Sequence, residues 1–378
     1  GSNKTVSINT LALADGSNGG LAANYTLSSG THQLTVNQRP LNATLARQYD
    51  GTTNAAGSTL SSLDALQGGE TLTMTGSGTA ASANVANGIT MSSNGNLALA
   101  DGTGAASNYS LNSTVINIAK RVLNSSGSKT YDANTNALAG AITLSNLVSG
   151  EALNHSGTAT ISSANAGSYT ISNLTGISIA DGSGGTASNY TLTGGTHNFT
   201  VNQRPLNATL ARQYDGTTNA AGSTLSSLDA LQGGETLTMT GSGTAASANV
   251  ANGITMSSNG NLALADGTGA ASNYSLNSTV INIAKRVLNS SGSKTYDANT
   301  NALAGAITLS NLVSGEALNH SGTATISSAN AGSYTISNLT GISIADGSGG
   351  TASNYTLTGG THNFTVNRRV IGVSGTRL

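Results

Sequence analysis

The sequence lacks cysteine and tryptophan and is poor in proline, phenylalanine and charge. The absence of cysteine suits a chain that must stay unfolded during export and cannot risk misplaced disulfides. Disordered segments usually combine low hydrophobicity with abundant charge or proline, but here 37% of the residues are hydrophobic, 8% are charged and two are proline. The composition therefore predicts ordered structure, and 378 residues suffice for several small domains.

A formal net charge of −1 excludes the electrostatic footprint of a nucleic-acid-binding protein or of a protein held on an anionic membrane. No apolar run approaches the ~20 residues that cross a bilayer. No signal peptide is visible. We therefore expect a fragment of a longer protein, attached to a membrane only through parts outside this sequence.

The sequence is instead rich in repetition. The stretch from Thr35 to Asn202 recurs without one change from Thr200 to Asn367, a period of 165 residues. Two related modules alternate within it, named here Y-D-G and Y-D-A after a tripeptide near the start of each. The junctions, alternately 82 or 83 residues apart, are marked by Arg39, Arg121, Arg204, Arg286 and Arg369. Periodicity of this length indicates an array of small domains.

The repeats also predict the domain boundaries. The predicted segments are 1–39 (the C-terminal part of a truncated module), 40–121 (Y-D-G), 122–204 (Y-D-A), 205–286 (Y-D-G), 287–369 (Y-D-A) and 370–378 (the start of a next module or a cloning tail). Only about two or three residues separate the last strand of one module from the first strand of the next, which is too few for a flexible tether. Pro205 stiffens one junction further.

Apolar and polar residues alternate in each module, as at Leu41, Ala43 and Leu45, which is typical of half-buried strands. A hairpin with a Gly-Gly turn is predicted over Tyr190–Val201. Residues 60–66 form the only plausible helical turn, too short to stand alone. The modules are therefore β-rich.

No helix-length segment is present to cover an open sheet. We therefore expect an all-β fold, a linear tandem array of small β-sandwich modules of immunoglobulin-like type that forms an elongated rod. A β-grasp-like module is the alternative. Strands of about eight to ten residues predict a rod on the order of 150 Å for the whole array.

The order Y-D-G-T-T, L-x-x-L, G-G-E, G-T-A, A-D-G, N-Y-x-L resembles the YDG-type repeat domain and the related MBG-type domain. Those domains occur in tandem in very long secreted bacterial adhesins, including filamentous-haemagglutinin-like exoproteins of two-partner secretion and biofilm-matrix adhesins. The resemblance covers the four complete modules and the fragment before them, although the Y-D-A modules depart from the motif at its glycine. It implies an extracellular or bacterial cell-surface location and an adhesive or stalk role, without supplying a ligand.

The tripeptide that gives the modules their names is expected to be structural. Its tyrosine should pack its ring on the sheet, its aspartate should bond backbone amides in a turn, and its glycine should take a positive φ. The motif residues are Tyr49, Asp50, Gly51, Tyr131, Asp132, Tyr214, Asp215, Gly216, Tyr296 and Asp297.

The sequence contains no recognisable catalytic or metal-binding constellation. The Ala-Asp-Gly loops at Asp101 and Asp181 hint at calcium, but such a site needs about six to eight oxygens, so turn-capping aspartates are expected. His155 and His197 lack a second ligand at suitable spacing and are expected at solvent-facing strand positions. No nucleophile elbow or P-loop occurs. We therefore expect no enzyme, no cofactor and no metal.

Two functional hypotheses remain. In the first, the array is a passive stalk that extends a binding tip from the cell and supports biofilm or host attachment. In the second, each module binds weakly to extracellular polysaccharide or host surface glycans, and repetition multiplies the avidity. The absence of a large apolar patch predicts a monomer.

Overall fold

The computed structural model describes residues 1–8, 10–28 and 31–375. The residues outside this description, which fall in the predicted first and last segments, are Asn9, Ser29, Gly30 and 376–378. Over the described ranges the chain forms β-strands and short 3-10 turns without an α-helix, which confirms the all-β expectation. No helix in these ranges is long and apolar enough to cross a membrane.

A short segment precedes the first complete module. In it β1 and β2 pair antiparallel, with Lys4 opposite Leu34. Its elements are β1 (Lys4–Thr5), a 3-10 turn (Ala22–Asn24) and β2 (Gln33–Leu34).

Modules 1 and 3 are the Y-D-G modules, spanning 39–119 and 204–284. The strands of module 1 are β3 (Arg39–Gln48), β4 (Thr59–Leu63), β5 (Leu72–Thr75), β6 (Thr79–Ala80), β7 (Ala86–Ser93), β8 (Ala98–Asp101) and β9 (Tyr109–Ala119). Those of module 3 are β19 (Arg204–Gln213), β20 (Thr224–Leu228), β21 (Leu237–Thr240), β22 (Thr244–Ala245), β23 (Ala251–Ser258), β24 (Ala263–Asp266) and β25 (Tyr274–Ala284). Their 3-10 turns are Gln67–Gly69, Ala106–Asn108, Gln232–Gly234 and Ala271–Asn273.

The first and last strands of module 1 pair in parallel at the centre of its sheet. Arg39 lies opposite Tyr109, and Gln48 lies opposite Ala119. The sheet order is β4-β3-β9-β7-β6, and β5 pairs with β8 separately. Module 3 has the same order, β20-β19-β25-β23-β22. Apolar alternation along β3 turns one face of the strand inward, and Leu41, the first of the alternating residues, is fully buried in a cluster with Leu72 and Tyr109.

Parallel pairing separates the two ends of a module. We call the end at which the first strand begins the leading end, and the end at which the last strand finishes the trailing end. In module 1 the leading end holds Arg39 and Tyr109, and the trailing end holds Gln48 and Ala119. At ~3.3 Å per residue, the ten-residue strand β3 spans about 33 Å between these ends. The chain therefore enters and leaves the module on opposite sides.

Modules 2 and 4 are the Y-D-A modules, spanning 121–202 and 286–367. The strands of module 2 are β10 (Arg121–Val122), β11 (Asn124–Thr130), β12 (Asn136–Leu138), β13 (Ile142–Ser145), β14 (Leu153–Ile161), β15 (Gly167–Asn173), β16 (Ile177–Asp181), β17 (Tyr190–Thr191) and β18 (His197–Asn202). Those of module 4 are β26 (Arg286–Val287), β27 (Asn289–Thr295), β28 (Asn301–Leu303), β29 (Ile307–Ser310), β30 (Leu318–Ile326), β31 (Gly332–Asn338), β32 (Ile342–Asp346), β33 (Tyr355–Thr356) and β34 (His362–Asn367). Their 3-10 turns are Ala139–Ala141, Ala187–Asn189, Ala304–Ala306 and Ala352–Asn354.

Module 4 is also closed by parallel pairs between its first and last strands. β26 pairs with β33, and β27 pairs with β34 from Ser290 opposite His362 to Thr295 opposite Asn367. Its main sheet has the order β28-β30-β31-β34-β27-β29, with β32 beside β30. In module 2, β10 pairs in parallel with β17, while β14 pairs antiparallel with β12, β15 and β16.

Two local expectations were wrong. The predicted hairpin over Tyr190–Val201 does not form, because β17 pairs with β10 and not with β18. Gly194 does take the expected positive φ, 87°. The turn connects β17, which pairs with β10, to β18, which lies between β15 and β11. The predicted helical turn at 60–66 lies largely in strand β4, and the 3-10 turn follows it at Gln67–Gly69. Antiparallel sheets of the immunoglobulin type also differ from the central parallel pair seen here.

Contacts within the chain divide it into two compact units. The first unit is Gly1–Ser128, Asn136–Ser162 and Tyr169–Phe199, and the second is Lys129–Thr135, Ser163–Ser168 and Thr200–Leu378. In the first unit one hydrophobic cluster joins Leu45 and Ile118 of module 1 to Leu123 and Tyr190 of module 2. In the second unit a matching cluster joins modules 3 and 4. Consecutive modules therefore share a core within each unit.

We expect Gly127→Ala to destabilise the chain by about 3 kcal/mol, since a Cβ there would lie 2.7 Å from Cε2 of buried Phe199 and would also contact the Ala141 carbonyl oxygen. The control is Gly140→Ala, where a Cβ would meet nothing within 4 Å. Urea denaturation of both variants measures the difference. Equal stabilities would contradict this account of the β11 packing.

Candidate functional site

The Y-D turn lies at the trailing end of module 1. The backbone N–H of Tyr49, directly after β3, donates to the Ala119 carbonyl at 2.9 Å. Asp50 Oδ1 accepts from the backbone N–H and the hydroxyl of Thr52 at 2.9 and 3.0 Å, and its carboxylate pairs with Arg47. Burial acts to raise the pKa of Asp50, but the hydrogen bonds from Arg47 and Thr52 outweigh it, so the pKa lies below the ordinary 3.8. The aspartate thus shapes the turn, while the Tyr49 side chain is 5% exposed.

The other three turns repeat this geometry. The equivalent ion pairs are Lys129–Asp132 at 2.8 Å, Arg212–Asp215, and Lys294–Asp297 at 2.9 Å. The residue after the aspartate has a positive φ in every copy: 78° at Gly51, 63° at Ala133, 79° at Gly216 and 64° at Ala298. The Y-D-A modules therefore place a Cβ in a backbone conformation that favours glycine.

The Asn-Tyr and Gly-Glu signatures meet at the leading end of module 2. Asp181 Oδ1 accepts from the Ala187 N–H at 2.7 Å, so the Ala-Asp-Gly aspartate holds the 3-10 turn that precedes the Asn-Tyr pair. The Tyr190 hydroxyl accepts from the Val148 N–H at 3.1 Å and donates to Glu151 Oε2 at 2.7 Å. One carboxylate oxygen is thus bound within module 2.

The second oxygen of the same carboxylate binds module 1. The Tyr49 hydroxyl donates to Glu151 Oε1 at 2.6 Å. The rings of Tyr49 and Tyr190 meet edge to face, with centroids 5.4 Å apart and planes at 79°. Such ring pairs contribute about 1 kcal/mol beyond their area burial. We call this arrangement, in which two phenols share one carboxylate, the Tyr49 joint.

An asparagine closes the joint on a second side. Asn189 Oδ1 accepts from the Val85 N–H of module 1 at 2.9 Å, and its Nδ2 donates to Asn84 Oδ1 at 2.9 Å. Asn189 is 1% exposed, so its amide oxygen and its amide nitrogen are both hydrogen-bonded where water cannot reach them.

Two further joints repeat these contacts, and both lie within the second unit. In the Tyr131 joint the Glu235 carboxylate accepts from the hydroxyls of Tyr131, at 2.6 Å, and Tyr274. The Asn273 side chain accepts from the Ala166 N–H at 2.8 Å. The rings of Tyr131 and Tyr274 have centroids 5.3 Å apart and planes at 77°. In the Tyr214 joint Glu316 accepts from Tyr214 at 2.7 Å and from Tyr355 at 2.6 Å, Asn354 accepts from Val250 at 2.9 Å, and the rings of Tyr214 and Tyr355 lie 5.4 Å apart at 79°.

An arginine fixes the short connection at the Tyr49 joint. Only Lys120 separates β9 from β10. Arg121 donates from Nε to the Asn146 carbonyl at 2.6 Å and from Nη2 to Asn146 Oδ1 at 2.9 Å. Its Nη1 reaches the Tyr49 carbonyl at 3.4 Å. The same contacts recur at Arg286, so the guanidinium ties the start of one module to the Y-D turn of the module before it.

Among the described residues, one trailing-end tyrosine has no facing glutamate, and one leading-end glutamate has no facing trailing-end tyrosine. Tyr296 is 39% exposed, and no carboxylate in the described part of the chain accepts from its hydroxyl. Glu70 accepts from no phenol but Tyr109 in the described part of the chain, and Asn108 is exposed, whereas Asn189, Asn273 and Asn354 of the other three complete modules are buried. These two places serve as internal references for what the joint contributes.

The joint raises the pKa of its tyrosines. Burial and the hydrogen bond to the Glu151 carboxylate raise the pKa of Tyr49 to about 12. Burial and the corresponding glutamate also raise the pKa values of Tyr131 and Tyr355 to about 12. The phenols are therefore neutral donors at physiological pH.

A serine–histidine pair lies in the core of module 2. Ser125 Oγ is 2.9 Å from His197 Nδ1, and His197 Nε2 is 2.8 Å from the Leu192 carbonyl oxygen. Because a carbonyl only accepts, Nε2 carries the proton and Nδ1 accepts from the serine hydroxyl. Ser125 is 3% exposed, so the pair anchors the loop before β18 on β11 and offers no accessible nucleophile.

The histidines are not solvent-facing, which corrects the expectation. His155 is half-buried, and its Nε2 bridges the carbonyl oxygens of Ala139 at 3.1 Å and Ile142 at 2.9 Å. His197 is engaged through both of its ring nitrogens. Within the ranges that the structure describes, no group of three His, Cys, Asp or Glu side chains is placed to hold a metal ion.

Sequence reasoning singled out the Y-D residues but missed their partners. Glu151 and Asn189 were recognised only as members of recurring signatures, without a role. A trace of these contacts is present in the sequence, because the tyrosine and the glutamate that meet are 102, 104 and 102 residues apart at the three joints. Spacing of that length says nothing about contact until the strand order is known.

We expect Tyr131→Phe to lower the free energy of unfolding by about 1.5 kcal/mol, because the Glu235 carboxylate loses one of its two phenolic donors. Tyr296→Phe is the control, since it removes the same hydroxyl from a module of identical sequence, and no described carboxylate accepts from that tyrosine. Urea denaturation compares the two. A cost at Tyr296 as large as that at Tyr131 would refute the role of the joint.

Alkaline pH should loosen the joints. Folding raises the pKa of Tyr49 from 10.0 to about 12. The stabilisation that comes from its neutral phenol is therefore complete below pH 10 and is lost as the pH rises through about 12. Urea unfolding measured from about pH 9 to about pH 12 should show this loss. The triple variant Tyr49→Phe, Tyr131→Phe, Tyr214→Phe should lose less stability over the same interval. Parallel curves would show that the phenols do not contribute.

A protein-family model described as the YDG domain matches four stretches of the chain, 31–116, 119–197, 201–281 and 284–362. These stretches follow the four modules and together cover most of the sequence. Comparison with curated proteins found no match. The chain therefore belongs to the YDG domain family and carries four copies of that domain in tandem.

Proposed function

We propose that this tandem YDG array is the structural stalk, or repeat region, of a bacterial cell-surface or secreted adhesin. In this function it extends a binding tip away from the cell and supports biofilm or host attachment. The observation that carries the proposal is the joint: at each of the three junctions between complete modules, one carboxylate accepts from the tyrosines of two successive modules. A flexible linker would need no such built contact.

The geometry of the single module supports the same function. Its leading and trailing ends are separated by the full length of β3, so each added module adds its length to the array. The elongated rod is part of this proposal. Of the two module architectures considered, the central parallel pair favours the β-grasp-like one over the sandwich.

The extracellular location is proposed from the family resemblance and from the composition, which has no cysteine. Attachment to the membrane would then use parts outside this sequence. We also propose that the chain is not an enzyme, uses no cofactor and is a monomer in dilute solution. The serine–histidine pair supports this proposal only for its own residues, because Ser125 is buried and both ring nitrogens of His197 are engaged.

Weak binding of polysaccharide or host surface glycans by every module is the alternative. Carbohydrate platforms usually present aromatic rings to solvent, and the joint tyrosines are buried instead. The buried set is Tyr49, Tyr109, Tyr131, Tyr190, Tyr214, Tyr274 and Tyr355. The rings that the alternative requires are thus mostly used for packing, which leaves the stalk as the better-supported function.

Small-angle scattering combined with a glycan-binding assay tests the proposal. The chain should have a maximum dimension on the order of 150 Å and bind no matrix polysaccharide. Tyr49→Ala should cost ~3 kcal/mol in unfolding, because it leaves a cavity at the buried joint. Its scattering should show a broader distribution of dimensions.

Two outcomes would reject the stalk. A maximum dimension near that of a globular protein of this size would exclude the rod. If Tyr49→Ala left unfolding unchanged yet abolished binding to a matrix polysaccharide, the motif would be a ligand site.

A further inference from the structure

The third residue of the tripeptide differs between the two module types, and the joints show what it faces. A Cβ on Gly51 would lie 2.8 Å from Cγ1 of Val148 in the following module and 3.4 Å from Glu151 Oε1. At Gly216 the same separations from Val313 and Glu316 recur, 2.8 and 3.4 Å. A carbon at 2.8 Å from another carbon is well inside van der Waals contact. A methyl group at the Y-D-G end would therefore require the facing valine to move.

The Tyr131 joint has the opposite arrangement. Ala133 carries a methyl group there, and the residue whose N–H donates to the leading-end tyrosine is Gln232 instead of valine. The Gln232 amide oxygen, in the orientation that satisfies both groups, accepts from Arg204 Nη1 at 3.0 Å. The next residue is Gly233, on which a Cβ would lie 4.0 Å from the Ala133 Cβ, an ordinary contact distance. The methyl group is accommodated.

We propose that these facing residues form a size code that decides which type of module can dock on a given trailing end. A trailing end with glycine accepts a leading end with valine, whose methyl groups fill the space over the glycine. A trailing end with alanine accepts only a leading end that has no β-branched residue at the position of Val148, whose N–H donates to the leading-end tyrosine. Alanine against valine would clash, and glycine against glutamine would leave the valine space unfilled. The alternating order of the module types in this chain agrees with this pairing.

Backbone strain is the competing explanation for the choice of glycine. Gly51 has φ 78°, and alanine at a positive φ is strained whatever faces it. The native Ala133, at φ 63°, shows that the turn tolerates a Cβ when the facing residue allows one. Strain alone predicts that Gly51→Ala has the same effect with any facing residue, whereas the size code predicts that the effect depends on residue 148.

A double-mutant cycle in the full chain separates the two. The variants are Gly51→Ala, Val148→Ala and both together, and the probe is hydrogen exchange of the Val85 N–H, which closes the Tyr49 joint by donating to Asn189. Gly51→Ala alone should speed exchange at Val85 by ~10-fold or more. In the Val148→Ala background the added effect of Gly51→Ala should fall below about 3-fold. An equal factor in both backgrounds overturns the proposal.

The converse exchange at the Tyr131 joint provides a rescue. Gln232→Val puts a branched side chain at the position equivalent to Val148 and should speed exchange of the Ala166 N–H, which donates to Asn273, by ~10-fold. Adding Ala133→Gly should restore most of the protection. Failure of the glycine to restore it also overturns the proposal.

A control measures strain without a neighbour. Gly57 of module 1 has φ 74°, and a Cβ there would meet nothing within 4 Å. Gly57→Ala should leave exchange at Val85 within about 2-fold of the parent chain, with or without Val148→Ala. An effect of Gly57→Ala that equalled that of Gly51→Ala would assign the result to strain and reject the code.

Discussion

The structure depends on the parallel pairing between the first and last strands of each module. Because β3 and β9 run side by side from Arg39 and Tyr109 to Gln48 and Ala119, the module begins at one end and finishes at the other. The same pairing determines where the signatures lie. The Y-D turn follows the first strand and must stand at the trailing end, whereas the Asn-Tyr pair begins the last strand and must stand at the leading end. Successive modules therefore bring unlike signatures together.

The shared carboxylate makes neighbouring modules partly dependent on one another. Glu151 accepts from Tyr190 of its own module and from Tyr49 of the module before it. A hydrophobic cluster continues through the same joint. In repeat arrays the stability of each unit is the sum of its own contribution and that of its interfaces. Here the interface contains a shared carboxylate and a continuous hydrophobic cluster, so the Y-D motif is structural for two modules and not for one.

Much of the local structure could be predicted from the sequence. The alternation at Leu41, Ala43 and Leu45 gave the correct strand, because period two reports which face is buried. It does not report the partner strand, and the hairpin predicted over Tyr190–Val201 is wrong because its two strands pair with distant segments. The role of Glu151 could not be predicted for the same reason. Its contacts depend on strand order, and the pairing that brings it to Tyr49 is not a local property of the chain.

The unit that repeats without change is two modules long, so each module has neighbours of the other type. Adjacent domains with identical sequences are prone to exchange strands while they fold, because each strand fits either domain. In this chain the strand that ends one module is a single residue from the strand that begins the next, which would favour such an exchange. Neighbouring modules differ in sequence, however. The nearest strand of identical sequence lies not in the adjacent module but in the module after it. Alternation thus gives a repetitive chain the protection from misassembly that divergence gives other multidomain proteins.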